Sequence, residues 1–148
     1  TILTSMLQGE ASQVGIFLAS IAREIEAHNS PLAKPAAIVM GGESTVTVRG
    51  SGAGGRNQEL SLSVGLAISG LEGTAFASMG TDGIDGQTNA AGAIVDGKTV
   101  SRALRLKLTA SDYLRRNDSH SFFAQLGDLI LTGPTGTNVN DISVAVLI

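Results

Sequence analysis

The first part of the chain carries the apolar pattern of a long helix. Apolar residues recur at intervals of three and four from Val14 to Ile25, which places them on one side of a helix. The pattern predicts a helix from Gly9-Glu10 to about His28, ended by Asn29-Ser30-Pro31. A second helix is predicted from about Arg56 to Ser69, and shorter ones at about residues 99–108, 111–116 and 121–126.

Apolar runs between these helices predict strands. Ala36 to Met40 has the composition of a buried strand, and Ser44 to Arg49 alternates polar and apolar residues as a half-buried strand does. We expect these two segments to form a hairpin around Gly41-Gly42. Further strands are predicted at residues 74–79, 90–95, 128–132 and 142–148. The predicted fold class is therefore α/β, a three-layer α/β/α arrangement whose mixed sheet includes the hairpin.

The linker with Pro31 and Pro35 is the predicted internal boundary. Residues 1–35 would form a strand end, a helix and a linker, and residues 36–148 would form one α/β domain. Both ends of the chain have the composition of strands, whereas natural ends are usually polar and frayed. We therefore expect a piece of a longer polypeptide, and a complete small protein is the alternative.

Composition excludes several classes of function. A net charge of −3 with scattered basic residues, one Tyr, four Phe and no Trp argues against a nucleic-acid surface. The absence of Cys removes disulfides, thiolate metal sites and a cysteine nucleophile. No apolar run approaches the roughly 18 residues that span a bilayer. We expect a chain that binds neither nucleic acid nor membrane and resides in the cytoplasm.

Three polar connections punctuated by glycine are the candidate sites. Gly50–Asn57 leads into a helix start, where free N–H groups favour an anion and Arg56 could add a bidentate contact. Thr81–Gly86 carries Asp82 and Asp85, which suit Mg²⁺ or a substrate hydroxyl. Thr132–Asp141 is dense in hydroxyls and amides that could surround phosphate oxygens. Each connection alone could be an ordinary turn. In a mostly parallel sheet, however, we expect them to meet beyond the strand ends.

Two nucleotide-binding motifs bear on the first connection. Gly50, Gly52 and Gly55 match G-x-G-x-x-G, but the preceding segment alternates polar and apolar residues rather than forming a buried parallel strand. The phosphate-binding G-x-x-x-x-G-K-[ST] pattern is absent, because Arg56-Asn57 stands where its last two residues should be. The glycine fingerprint therefore supports an NAD(P)-dependent reductase only weakly.

Four blocks in order resemble the MOFRL domain, the C-terminal part of the glycerate 2-kinases formerly named hydroxypyruvate reductases. The resemblance covers roughly Ala36 to Ile148 and rests on the following blocks: Gly41-Gly42-Glu43-Ser44-Thr45-Val46-Thr47-Val48, Gly54-Gly55-Arg56-Asn57-Gln58-Glu59-Leu60, Thr81-Asp82-Gly83-Ile84-Asp85-Gly86 and Thr132-Gly133-Pro134-Thr135-Gly136-Thr137-Asn138-Val139-Asn140-Asp141. Gln87-Thr88-Asn89 departs slightly from the Pro-Thr-Asp that is usual in the family.

The resemblance implies a two-domain kinase that transfers a phosphoryl group from ATP to the 2-hydroxyl of D-glycerate with Mg²⁺. Its active site would lie between this domain and a larger Rossmann-like N-terminal domain that supplies a lysine, so the chain alone would be nearly inactive. A hydroxypyruvate reductase and a non-catalytic regulatory or oligomerisation module are the alternatives. A homodimer is left open, as is the choice between a 2- and a 3-phosphoglycerate product.

Roles can be assigned to residues on this hypothesis. Arg56 would hold the glycerate carboxylate or the migrating phosphoryl group, and Asp82 or Asp85 would orient the reacting hydroxyl, with Asp82 the predicted metal ligand. Asn57 and Glu59 would fix the loop and brace Arg56, while Asp141 would anchor the third connection. The remaining predicted binding residues are Gly54, Gly55, Thr135, Gly136, Thr137, Asn138 and Asn140.

Overall fold

The computed structural model describes all residues from Thr1 to Ile148. The helices are α1 (Ala11–His28), α2 (Arg56–Ala67), α3 (Thr99–Arg105), α4 (Ala110–Arg115) and α5 (Ser119–Leu126). The strands are β1 (Ile2–Leu7), β2 (Ala36–Gly42), β3 (Thr74–Gly80), β4 (Gly92–Asp96), β5 (Leu129–Ile130) and β6 (Asp141–Leu147). None of the helices combines the length and the apolar character that crossing a bilayer requires.

All the strands form one sheet in the order β1-β2-β6-β3-β4-β5. The β1–β2 pair is parallel, and every other neighbouring pair is antiparallel. The predicted α/β class with a mixed sheet is confirmed. The expectation of a mostly parallel layout was wrong, because β6 enters the middle of the sheet against the direction of both its neighbours.

The predicted hairpin between β2 and residues 44–49 does not form. β1 occupies one edge of β2 and β6 occupies the other, so no edge remains for a hairpin partner. The segment after Gly42 runs beside the start of α1 instead. There the amide of Thr45 donates to the Gly9 carbonyl at 2.8 Å, and the amide of Thr47 donates to the Glu10 carboxylate at 3.0 Å. These contacts satisfy the hydrogen bonds of an extended segment whose alternating pattern had predicted a strand.

The helices lie on one side of the sheet. Helix α2 packs on β3 and β4, and α1, α3, α4 and α5 all contact α2. The opposite face carries a row of aligned apolar residues, Val39, Val144, Ala77 and Ile94, on four neighbouring strands. Val39 is 36% exposed and Ile94 is 49% exposed, so this chain does not itself supply the third layer that was predicted.

Residues 1–35 join the same core as the rest of the chain. Strand β1 extends the sheet, and α1 buries Leu18, Ala22 and Ile25 within the one large apolar cluster. The repeat of apolar residues at intervals of three and four along α1 is thus explained by packing against α2 and the sheet. The proposed boundary near Pro31 and Pro35 stays a prediction.

The antiparallel entry of β6 brings the polar connections to one edge. Asp141 at the start of β6 pairs with Gly42 at the end of β2 and with Gly80 at the end of β3. The third connection therefore arrives where the second departs. The predicted convergence is correct, although its cause is opposite strand direction rather than parallel strand ends.

Candidate functional site

Arg56 and Asp141 form the central ion pair at this edge. Arg56 begins α2, and its Nε and Nη2 donate to the two oxygens of Asp141 at 2.6 and 2.9 Å. Glu43 lies 3.4 Å from the same Nη2. The bond to Asp141 raises the pKa of the Arg56 guanidinium above its usual range, so the charge is permanent. The two-pronged contact of the Arg56 guanidinium, which was predicted to bind a ligand, is made with Asp141. The third nitrogen, Nη1, makes no hydrogen bond to the protein.

The side chain of Asp85, in the second connection, lies against the N-terminus of α2. Its carboxylate accepts the backbone amides of Asn57 at 3.1 Å and Gln58 at 2.9 Å, and also the side-chain amides of both residues. Burial raises the pKa of the Asp85 carboxyl, and the amides of Gln58 and Asn57 oppose that shift. The helix start was expected to attract a ligand anion, but Asp85 itself is the anion that meets the positive end of the helix.

A buried polar chain continues from Asn57 into the sheet. Ser78 on β3 donates to the Asn57 side-chain oxygen at 2.6 Å, and the hydroxyls of Ser78 and Ser143 lie 2.8 Å apart. All three residues are at most 2% exposed. Buried networks that are fully hydrogen-bonded hold one geometry, so this chain fixes α2 against β3 and β6. Asn57 thus connects the start of α2 to Asp85 and Ser78, and its predicted role in fixing the first connection stays a prediction.

The glycines of the first connection allow close contact with protein. A Cβ on Gly50 would collide with the Arg116 carbonyl, and one on Gly52 would collide with Asp118. Gly54 packs on Ser119 in the same way, and Gly55 packs on Asp85. The glycine pattern had been attributed to the approach of a ligand. At Gly50 and Gly52 the physical cause is the turn between α4 and α5, at Gly54 it is the first residue of α5, and at Gly55 it is Asp85 in the second connection.

Asn117 in that turn joins the first connection to Glu59. Its Oδ1 accepts the amides of Arg49 at 2.7 Å and Gly50 at 3.0 Å, and its Nδ2 donates to Glu59 Oε2 at 2.9 Å. Glu59 was predicted to brace Arg56, but its hydrogen-bond partner is Asn117, and the acids paired with Arg56 are Asp141 and Glu43. Burial raises the pKa of the Glu59 carboxyl, and the Asn117 amide opposes the shift.

The second and third connections meet through Thr81. Its hydroxyl donates to the Asn140 carbonyl at 2.7 Å and accepts the Val139 amide at 2.8 Å. The amide of Thr135 donates to the Asp82 carbonyl at 3.1 Å, and Asn138 Nδ2 lies 3.5 Å from Asp82 Oδ2. Thr135, Gly136, Thr137, Asn138 and Asn140 are all exposed. Their predicted ligand contacts stay predictions, as does the role of Asp82.

A cavity of about 720 Å³ opens between the first connection and the segment after β2. Arg56, Glu43 and Glu59 are its ionisable lining residues. Val46 and Val48 give it an apolar wall, and Gly54 and Gly55 also line it, while their predicted contacts with a ligand stay predictions. A second cavity of about 570 Å³ lies beyond Glu59 and Asn117, which line both. The first cavity can therefore hold a polar molecule beside a fixed positive charge and a buried carboxylate.

Sequence reasoning missed several residues that build the site. Thr81, Ser78 and Ser143 had no distinguishing signal, because single hydroxyls within or next to strands are common. Asn117 had one signal, an Asn just after a helix, which favours the left-handed conformation that it adopts. The ring nitrogen Nδ1 of His120 lies 3.0 Å from Gln58 Oε1, a contact across 62 residues that no local pattern indicates.

The fold and the site together define a class of protein: a mixed α/β domain with a polar, arginine-containing cavity at one edge of its sheet. The sequence matches the MOFRL family over residues 36–141. The chain belongs to the MOFRL family.

Relatives and solved structures agree with this assignment. The chain is 48% identical to the D-glycerate 2-kinase of Thermotoga maritima and 44% identical to the glycerate 2-kinase of Pyrococcus horikoshii, each over 99% of its length. It is 43% identical over 95% of its length to a putative hydroxypyruvate reductase of Agrobacterium vitis. The crystal structure of the Thermotoga glycerate kinase superposes with a TM-score of 0.98 at 47% identity over the whole chain, and a Pyrococcus structure with 0.94 at 43%.

The match accounts for only part of those proteins. The chain spans 35% of the Thermotoga relative and 33% of the Pyrococcus relative, and 36% of the chain in the Thermotoga crystal structure. About two thirds of each relative therefore lies outside the similarity.

Proposed function

We propose that the chain is the C-terminal domain of a glycerate 2-kinase and contributes one wall of the site where ATP phosphorylates D-glycerate at the 2-hydroxyl. The observation that carries the proposal is the Arg56–Asp141 pair, held where the second and third polar connections meet and opening on the large cavity. The names of the Thermotoga and Pyrococcus relatives support the same activity. A larger N-terminal domain of the same polypeptide would supply the other wall, in line with the length of those relatives.

The site suits phosphoryl transfer because it offers fixed charge and donors rather than a covalent nucleophile. Catalysis of this reaction depends on positioning and on stabilising negative charge. The Nη1 of Arg56 makes no hydrogen bond and can take an oxygen of the glycerate carboxylate or of the migrating phosphoryl group. The exposed hydroxyls and amides of the third connection would line the path of the phosphate oxygens.

The donors at the edge of the sheet also fit Mg²⁺. Asp82 is a partly exposed carboxylate beside the side chain of Asn138 in the third connection. Mg²⁺ is commonly held by one or two carboxylates together with substrate phosphates and water. Asp82 would hold the ion, which would neutralise charge on the phosphates. Asp85 is the weaker metal candidate, because four amide donors already surround its carboxylate.

The reductase alternative loses its main support. A dinucleotide-binding glycine loop must follow a buried strand and approach the pyrophosphate. Here no strand precedes Gly50, and the three fingerprint glycines Gly50, Gly52 and Gly55 pack against Arg116, Asp118 and Asp85. The name of the Agrobacterium relative is the remaining link to that activity.

Substitution of Arg56 by Lys tests the proposal in a protein that joins the chain to its N-terminal domain. Lys cannot reproduce the planar fork, so we expect kcat/KM for ATP-dependent glycerate phosphorylation to fall about 30-fold, which corresponds to about 2 kcal/mol. The matched control is Arg102→Lys, because Arg102 makes the same two-pronged contact with Asp128 at 3.0 and 2.7 Å away from the cavity. Equal kcat/KM for wild type and Arg56→Lys would remove Arg56 from the site.

A further inference from the structure

The buried carboxylate of Glu59 is unlike the others at this edge of the sheet. Asp85 accepts four hydrogen bonds, and Asp141 accepts two from Arg56. Glu59 is only 4% exposed, yet it accepts a single hydrogen bond, through Oε2 from Asn117. Its Oε1 makes none, and the residue lines the 720 Å³ cavity. The buried side-chain oxygens that lack a hydrogen bond are those of Thr74 and Ser119, so Glu59 Oε1 is open to the cavity and can accept a hydrogen bond from a bound molecule.

Asn117 governs both the loop and this carboxylate. Asn117 adopts the left-handed region, at φ 55°, which Asn tolerates better than most residues. In this conformation its Oδ1 accepts hydrogen bonds from two backbone amides of the first connection, and its Nδ2 donates one to Glu59. A single side chain thus sets the distance between the glycine loop and the buried carboxylate.

We propose that Asn117 is a positioning residue of the site, which fixes the glycine loop and turns Glu59 so that its free oxygen accepts a hydrogen bond from a hydroxyl of the substrate. The inference rests on the proposed function, since a hydroxy acid supplies that hydroxyl. Arg56 lines the same cavity and offers the complementary charge for the carboxylate of such a molecule.

Two substitutions separate the two contacts of Asn117. Asn117→Gly keeps the left-handed backbone and loses every side-chain contact. Asn117→Asp keeps an acceptor for the amides of Arg49 and Gly50, but it loses the donor to Glu59 and places a second negative charge beside it. The matched control is Asn29→Gly, because Asn29 is also left-handed, at φ 54°, and also accepts a backbone amide, that of Lys34, at a site away from the cavity.

The activity measurement is made on the protein that joins the chain to its N-terminal domain. We expect Asn117→Gly to lower kcat/KM for glycerate about tenfold or more, because small displacements of positioning groups are costly. The kcat/KM of Asn29→Gly should stay within about twofold of wild type. Glu59→Gln should raise the KM for glycerate, because an amide N–H replaces a carboxylate oxygen that accepts a hydrogen bond at the cavity. Unchanged kcat/KM in Asn117→Gly and Glu59→Gln would overturn the inference.

The pH profile of Asn117→Asp distinguishes a positioning role from a structural one. Burial raises the pKa of Glu59, the Asn117 amide opposes the shift, and Glu10 and Asp85 raise the pKa further. The charged residues that line the two cavities with Glu59 are Glu10, Glu43, Arg49, Arg56 and Arg115. Another carboxylate at position 117 should raise the pKa of Glu59 further, so the acidic limb of kcat/KM should move to higher pH. An unshifted limb with normal activity would exclude a role for the Glu59 contact.

Hydrogen exchange tests the loop separately from activity. Exchange at the amides of residues 49–53 should be faster in Asn117→Gly and close to wild type in Asn117→Asp and Asn29→Gly. Unchanged exchange in Asn117→Gly would overturn the loop contact. Should wild type fail to phosphorylate glycerate, the proposed function would fall and the assignment of Glu59 to a substrate hydroxyl with it, while exchange would still decide whether Asn117 fixes the loop.

Discussion

The Gly50–Asn57 and Thr132–Asp141 connections have similar compositions and opposite constructions. In the first, a Cβ on any of four glycines would strike neighbouring protein, and the residues that follow are buried. In the second, Gly133 and Gly136 have positive φ values of 66° and 75° and no atom within 4 Å of a Cβ. Glycine thus serves close packing in one connection and backbone conformation in the other. A glycine-rich sequence alone does not tell which.

The largest effect is expected from removing the Asp85 carboxylate, which holds the start of α2 at the end of the first connection. Asp85→Asn replaces a carboxylate that faces only amide donors by a group with its own N–H donors. We expect the free energy of unfolding to fall by about 3–5 kcal/mol, because buried donors lose their partner. Denaturant unfolding measures it, and Asp82→Asn, on the exposed side, should cost under about 1 kcal/mol. Equal losses in both variants would contradict the difference in construction.

A pair of alanine substitutions compares the glycines directly. Gly50→Ala forces a methyl group into the Arg116 backbone and should destabilise the protein by about 3 kcal/mol. Gly133→Ala meets no atom and carries only the strain of a left-handed residue, about 1 kcal/mol. Thermal unfolding of the two variants gives the comparison. A larger loss for Gly133→Ala would reverse our account of the two connections.

Thr81→Val sharpens the description of the third connection. The variant keeps the shape of the side chain but removes the hydroxyl bonded to Asn140 and Val139. We expect a loss of about 1–2 kcal/mol and faster amide exchange confined to residues 133–140. Exchange that rises in residues 50–57 as well would show that the two connections are coupled.

Glu59→Gln should have the smallest effect on stability, and the opposite sign. Burial raises the pKa of Glu59, so its ionised form costs stability above the folded-state pKa, and the cost disappears below the unfolded-state pKa. The neutral variant should therefore be more stable at pH 7, and the gain should vanish as the pH falls to about 4. Unfolding at both pH values measures this, and a destabilised variant at pH 7 would contradict it.

The sequence predicted the helices and most strands because their apolar patterns are local. It could not predict the direction of β6, since Asp141–Leu147 alternates in the same way in a parallel or an antiparallel position. Arg56 and Asp141 were both chosen as site residues, but their pairing depends on that direction. The partner of Glu59 lies 58 residues away in a turn, and no local pattern indicates such a contact.

The uncovered face of the sheet has a consequence for handling this domain. Four aligned side chains form a continuous apolar row with no charged residue among them: Val39, Val144, Ala77 and Ile94. The hydration of such an exposed apolar row is unfavourable, and burying the row against a second surface removes that free-energy cost. With this row exposed, the domain should self-associate through the back of the sheet rather than through the cavity.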